Sequence, residues 1–145
     1  MKKQLIALLA VLMLSTAAFA TGPLMGFSVV PVAGQPIDLH IGWDFGSVHI
    51  EATKDSLDSY KGMWTFGAIG TPQAELFGYR AGARMLWNWQ SSVKYGGFEF
   101  LVGLSKTWGP LQVYGDLVLT ATSTLGVTPV IGVNILFSEL FEPAI

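Results

Sequence analysis

The chain contains no cysteine, so it can build no disulfide framework, iron–sulfur cluster or thiol nucleophile. Charge is also scarce. Asp, Glu, Lys and Arg make up 12% of the residues, against roughly 25% in an average soluble domain. The net charge is only −2, with an isoelectric point near 5.5. That leaves no basic footprint for nucleic acid. By contrast, 51% of the 145 residues are apolar, and the mean hydropathy is +0.50. A disordered chain needs the opposite balance of hydrophobicity and charge. The length suits one domain. The question is which surroundings accept so much apolar surface.

Part of that surface belongs to an address. Lys2 and Lys3 precede an apolar run, Leu5 to Leu14, and Ala18-Phe19-Ala20 supplies the small residues of a cleavage site. This pattern predicts a secretory signal peptide, helical in its apolar part, over residues 1–20. The run falls short of the ~20 residues of a membrane-spanning helix. Without cysteine after Ala20, a lipoprotein anchor is excluded. The mature chain keeps all ten acidic residues and is acidic.

Beyond the signal the sequence alternates with a period of two. In Phe77 to Gln90, Phe77, Tyr79, Ala81, Ala83, Met85, Trp87 and Trp89 share one parity. Gly78, Arg80, Gly82, Arg84, Leu86, Asn88 and Gln90 share the other. A strand separates two such sets, whereas a helix would mix them. The same alternation recurs over Ile37–Phe45, Val48–Thr53, Met63–Ala68, Phe98–Ser105, Gln112–Thr120 and Gly126–Phe137, and more weakly over Gly26–Ala33. Turn residues interrupt it at Gly34–Pro36, Gly46-Ser47, Lys54–Tyr60, Gly70–Gln73, Gln90–Lys94, Trp108–Pro110 and Ala121–Thr124. About eight strands follow, in an all-β, antiparallel up-and-down barrel over residues 21–137, with a short tail over 138–145.

Two observations set the expected orientation. Asp38, Asp44, Glu51, Lys61, Arg80, Arg84, Glu99 and Asp116 share the polar parity with repeated glycines, which suits the cramped interior of an eight-stranded barrel. The large aromatic residues take the other parity and are more easily placed outside. Phe77 to Trp89 covers about 40 Å of strand, or about 30 Å along a membrane normal when tilted. With strands alternating in direction, Phe45, Phe77, Trp108 and Phe137 gather at one rim. Trp87, Trp89, Phe98 and Phe100 gather at the other, and Tyr79 adds to the interface aromatics. These positions predict two aromatic girdles around a transmembrane barrel. Pro31 and Pro129 fall in the first and last predicted strands, where they would have to be absorbed by bulges or leave a weakly paired seam.

The last strand, Gly132-Val133-Asn134-Ile135-Leu136-Phe137, spaces a glycine, a hydrophobic residue and a final aromatic in a way that resembles the assembly signal of bacterial outer-membrane barrels. Val130 stands where that signal has a polar residue, and Ser138 to Ile145 trail the aromatic. From Thr21 to Phe137 the chain resembles the small eight-stranded OmpA/OmpX-type outer-membrane proteins in architecture and pattern. The resemblance implies an outer-membrane location after export, membrane lipid and the barrel-assembly machinery as partners, and termini on the periplasmic side.

The polar parity carries the residues capable of chemistry. Arg80 and Arg84 are expected to meet Glu99 on the returning strand, with Asp116 one strand further. A tight turn at Phe45-Gly46 would pair Asp44 with Ser47, Gly42 with His49 and His40 with Glu51, bringing His49 within reach of Asp44. The interior is therefore expected to be an ion-pair network of Asp38, His40, Asp44, His49, Glu51, Lys61, Arg80, Arg84, Glu99 and Asp116, because a buried charge is costly unless paired. Two histidines and two carboxylates could instead hold a metal, but mutual satisfaction is the expectation, with no cofactor. Ser47, His49 and Glu51 resemble a hydrolase triad only on paper. On one strand they lie about 6.5 Å apart per step, too far for the ~3 Å nucleophile–base contact. The expected function is a structural, non-catalytic membrane barrel. The alternatives are a secreted soluble carrier of a small apolar ligand and a narrow pore.

Overall fold

Alternating side chains demand that one face be covered, and the chain meets the demand by closing a sheet on itself. The computed structural model describes residues 22–32, 34–35, 37–55, 63–72, 76–88 and 94–140. The strands are β1 (Gly22–Val29), β2 (Ile37–Asp44), β3 (Val48–Asp55), β4 (Met63–Gly70), β5 (Gly78–Asn88), β6 (Lys94–Trp108), β7 (Leu111–Ala121) and β8 (Leu125–Leu136). Each pairs antiparallel with its neighbour in sequence, and β8 returns to β1, giving a closed barrel of eight strands. A 3-10 turn, Phe137–Leu140, follows β8. The predicted signal peptide, Lys61, Trp89 and the last residues of the tail lie outside the described residues.

The prolines turn out not to disturb the seam. β1 pairs with β8 from Leu24↔Leu136 to Val29↔Ile131. Pro31 lies past the end of β1, and Pro129 sits on β8 beyond the last seam pair, opposite Leu117 of β7. The ladder that closes the barrel therefore never asks either proline for an N–H.

The β2–β3 register corrects an expectation. Asp44 opposes His49, Gly42 opposes Glu51, and His40 opposes Thr53. The turn is longer than a two-residue hairpin because Asp44 organises it. The Phe45 N–H donates to the Val48 carbonyl at 2.9 Å, and the Gly46 N–H donates to Asp44 Oδ1 at 2.8 Å. Gly46 has φ of 86°, in the left-handed region that glycine reaches without steric penalty. The register moves by an even number of residues, so every side chain keeps its face.

The faces are inverted relative to a water-soluble barrel. Val102 is 60% exposed and Trp108 58%, while Arg80 and His40 are each 1% exposed. Met25, Phe27, Leu39, Ile41, Phe100, Leu104, Leu117, Val127 and Ile131 also point outward. Inward positions hold Ser28, Thr53, Gln112, Asn134 and the ionic residues, interspersed with a few apolar ones. Ile69, Leu101 and Val118, with Val130 against them, form a small apolar cluster. A barrel of this strand number has an interior just wide enough for its side chains.

Candidate functional site

Glycines create the room in which the interior charges meet. Gly67 lies in register between Glu51 on β3 and Arg84 on β5. With no Cβ between them, Arg84 Nη2 comes within 3.2 Å of Glu51 Oε1. Gly103 lies in register between Arg80 on β5 and Asp116 on β7. Across it, Arg80 Nε donates to Asp116 Oδ1 at 3.0 Å and Oδ2 at 3.1 Å. Each ion pair thus skips one strand over a glycine. A Cβ on Gly103 would run into the Gly115 carbonyl and the Asp116 carboxylate.

Arg80 was expected to meet Glu99, but its register partner is Gly103, and Asp116 takes it. Arg84 is the residue opposite Glu99, with Nη1 3.8 Å from Glu99 Oε2. Arg84 therefore stands between two carboxylates. Glu99 is further held by the Thr120 hydroxyl, which donates to Oε1 at 3.4 Å. Arg80 Nη1 donates to Gln112 Oε1 at 3.3 Å, and Asn134 Nδ2 donates to the same oxygen at 3.1 Å.

Tyr114 links the two halves of the interior. From β7 it extends over Gly132, its register partner on β8. Its hydroxyl lies 3.2 Å from His40 Nε2 on β2. The Arg80 guanidinium carbon sits 3.7 Å from the Tyr114 ring centroid, a cation–π contact. His40 is also 2.8 Å from the Ser28 hydroxyl through Nε2 and 2.8 Å from the Thr53 hydroxyl through Nδ1. In either neutral tautomer one ring nitrogen donates and the other accepts. Glu51 lies diagonally from His40, with Oε1 3.6 Å from Nδ1.

A separate group closes the end of the barrel at which β1 starts and β8 finishes. His49 Nε2 is 3.2 Å from Asp44 Oδ1 and 3.3 Å from the Thr71 hydroxyl. Ser138, in the 3-10 turn after β8, donates to Asp44 Oδ2 at 3.4 Å. Asp44 thereby ties the β2–β3 turn, β3 and the 3-10 turn after β8 together. An Asp44→Ala variant should lose these contacts while His49 stays buried. The expected cost is about 1–3 kcal/mol, to be read as a lower urea midpoint of the refolded protein.

The geometry separates the residues of the paper triad. Ser47 is exposed in the turn, whereas His49 and Glu51 are buried. Asp38 shares the inward face at the far mouth and is half-buried. Among the predicted rim aromatics, Phe77, Tyr79 and Trp108 are exposed, with Phe45 and Phe137 half-buried beside them in the chain's turns. Toward the other rim, Trp87, Tyr95, Phe98 and Phe100 form a chain of rings with successive centroids 5.8, 5.4 and 6.3 Å apart. The expected network leaves out Tyr114, Gln112, Asn134, Ser28, Thr53 and Ser138, whose side chains join its contacts. Parity with Asp116 marks Gln112 and Tyr114 as inward; the aromatic character of Tyr114 obscured that signal.

These features define a closed eight-stranded antiparallel barrel with an ionic interior and an apolar exterior. Comparison of the chain with protein-family models, curated proteins and solved structures found no match.

Proposed function

We propose that the chain is a small integral outer-membrane barrel of the OmpA/OmpX type, exported by its signal peptide, with an interior plugged by paired charges. Its role on this reading is structural support of the membrane rather than catalysis. The observation that carries the proposal is the inversion of faces: Val102 is 60% exposed while Arg80 is 1% exposed. An exterior of this kind is unfavourable in water by roughly 25 cal/mol for each Å² of apolar surface; hydrocarbon removes that penalty. Backbone polar groups inside a bilayer must be satisfied internally, which a closed barrel achieves. No helix among the described residues is long and apolar enough to cross a membrane, so the reading rests on the strands.

The plug follows from pairing. Arg80 and Arg84 each face a carboxylate within the barrel, and Tyr114 crosses between β7 and β2. The test is membrane fractionation with unheated and boiled samples run side by side. The expected outcome is a membrane-associated protein whose folded form resists detergent and migrates differently once boiled. Trp43 and Trp108, both outward, should be quenched by lipids carrying brominated chains. Recovery from the soluble periplasmic fraction would overturn the membrane reading. Stepwise conductance in liposomes would overturn the plug and leave a pore.

A further inference from the structure

The barrel wall is not the same height all round. β1, β2, β3 and β4 are each 8 residues long, whereas β5, β6, β7 and β8 have 11, 15, 11 and 12. The register converts these lengths into heights. Followed from Leu24 pair by pair through β2 to β8, it arrives at Gly126. The seam instead pairs Leu24 with Leu136, ten residues further along β8. That stagger over eight strands tilts them by about 40° from the barrel axis. Each residue then adds about 2.5 Å of height, so β1–β4 rise about 18 Å and β5–β8 about 25–35 Å. Most of the difference falls at the rim opposite the one where β1 starts and β8 finishes.

The outward side chains follow the two heights. β7 presents Leu111, Val113, Leu117 and Leu119, and no charged residue stands on the outward row of β7 or β8. Leu125 and Val127, at the far end of β8, are 73% and 66% exposed. The tall wall is therefore apolar to its top. On the short wall the β1–β2 ladder ends at Val29↔Ile37, and backbone that has left its ladder has no place against hydrocarbon. The outward parity of β3 passes from Ile50 and Ala52 to Lys54, and in the sequence it runs on to Ser56 and Asp58. A flat bilayer has parallel faces, so tilting a wedge cannot match it to both walls.

We propose that the wall formed by β1–β4 is a face for short-chain lipid. The bilayer beside it is about 10 Å thinner than beside β5–β8, and phospholipids with shorter acyl chains gather there. The height of the wall selects this occupant. A closed ladder cannot stretch to meet a thicker slab, and a hydrophobic stretch shorter than the bilayer is accommodated by thinning the lipid around it. Lipids whose chains are already short need the least compression. This face rests on the membrane reading above.

The chain has no cysteine, so a single introduced cysteine carries a fluorophore to one wall. Leu39→Cys labels the short wall and Leu117→Cys the tall one; both positions face outward, 52% and 54% exposed. The labelled barrels are placed in vesicles holding equal parts of dimyristoleoyl and dierucoyl phosphatidylcholine, with one lipid or the other brominated across its double bonds. At Leu39→Cys the brominated short-chain lipid should quench about twofold more than the long-chain lipid. At Leu117→Cys the short-chain lipid should gain no advantage. The same quenching ratio at both positions overturns the face, whether the cause is a tilted barrel or an indifferent bilayer. Phe27→Cys and Val102→Cys, on the short and tall walls, repeat the comparison if either first variant does not fold. A chain that never enters the vesicles overturns the membrane reading together with the face, whereas an inserted barrel with equal ratios overturns the face alone.

Discussion

An Arg84→Met variant should lose the compact unheated band on a gel and unfold at a much lower urea concentration. Arg84 is the only guanidinium placed between Glu51 and Glu99. The Glu51 side chain is 1% exposed, and that of Glu99 is 18% exposed. Removing the cation leaves Glu51 buried beside His40 and facing a second carboxylate across the barrel. Loss of one partner from a buried pair costs about 3–5 kcal/mol, because the remaining charge keeps its desolvation penalty. A domain's whole stability is only about 5–15 kcal/mol, so the change removes a large part of it. The pair Arg84→Met with Glu51→Gln should recover much of the loss. Of the two carboxylates beside Arg84, Glu99 then keeps its charge without that cation, and its partial exposure and the Thr120 hydroxyl accommodate it. An unchanged urea midpoint for Arg84→Met would mean that the charges are solvated rather than paired.

That network was half legible in the sequence. Parity assigned Arg80, Arg84, Glu99 and Asp116 to one face, because a period of two survives any even shift in register. Pairing is more delicate. The turn after Asp44 depends on a side chain capping its own backbone at the Gly46 N–H, and a short hairpin is the simpler reading of Phe45-Gly46. The resulting shift exchanged His40's direct neighbour from Glu51 to Thr53 without moving any residue to the wrong face. The prolines show the same limit. Their positions in the chain suggested either bulges or a weakly paired seam, but where β1 stops relative to β8 is set by three-dimensional closure.

The glycines were legible only in part. Alternation of Gly with Arg suggested a narrow interior. What the sequence conceals is that Gly67 and Gly103 sit between the partners of an ion pair, since neither partner is near its glycine in the chain. Reading across three strands at once would have assigned Arg80 to Asp116: the residue opposite Arg80 is a glycine, and the residue opposite that glycine is the aspartate. Glu99, by contrast, lies directly opposite Arg84.

The same logic makes Gly132 and Tyr114 a coupled pair. A Cβ on Gly132 would overlap the outer edge of the Tyr114 ring. The ring has little freedom to retreat, because its hydroxyl lies against His40 and Arg80 covers its face. Gly132→Ala should therefore push the ring off both contacts, at about 1–3 kcal/mol, the usual cost of overpacking. Tyr114→Leu should also destabilise, by losing the hydroxyl at His40 and the aromatic face at Arg80. The two losses should not add. Once the ring is gone, the extra methyl on Gly132 has space, so the double variant should be more stable than the sum of the singles requires, by about 0.5–3 kcal/mol, the range of coupling between residues in contact. Urea unfolding of the four proteins measures the cycle. Strict additivity would mean that Tyr114 does not lie over Gly132, and the link from β7 to His40 would fall with it.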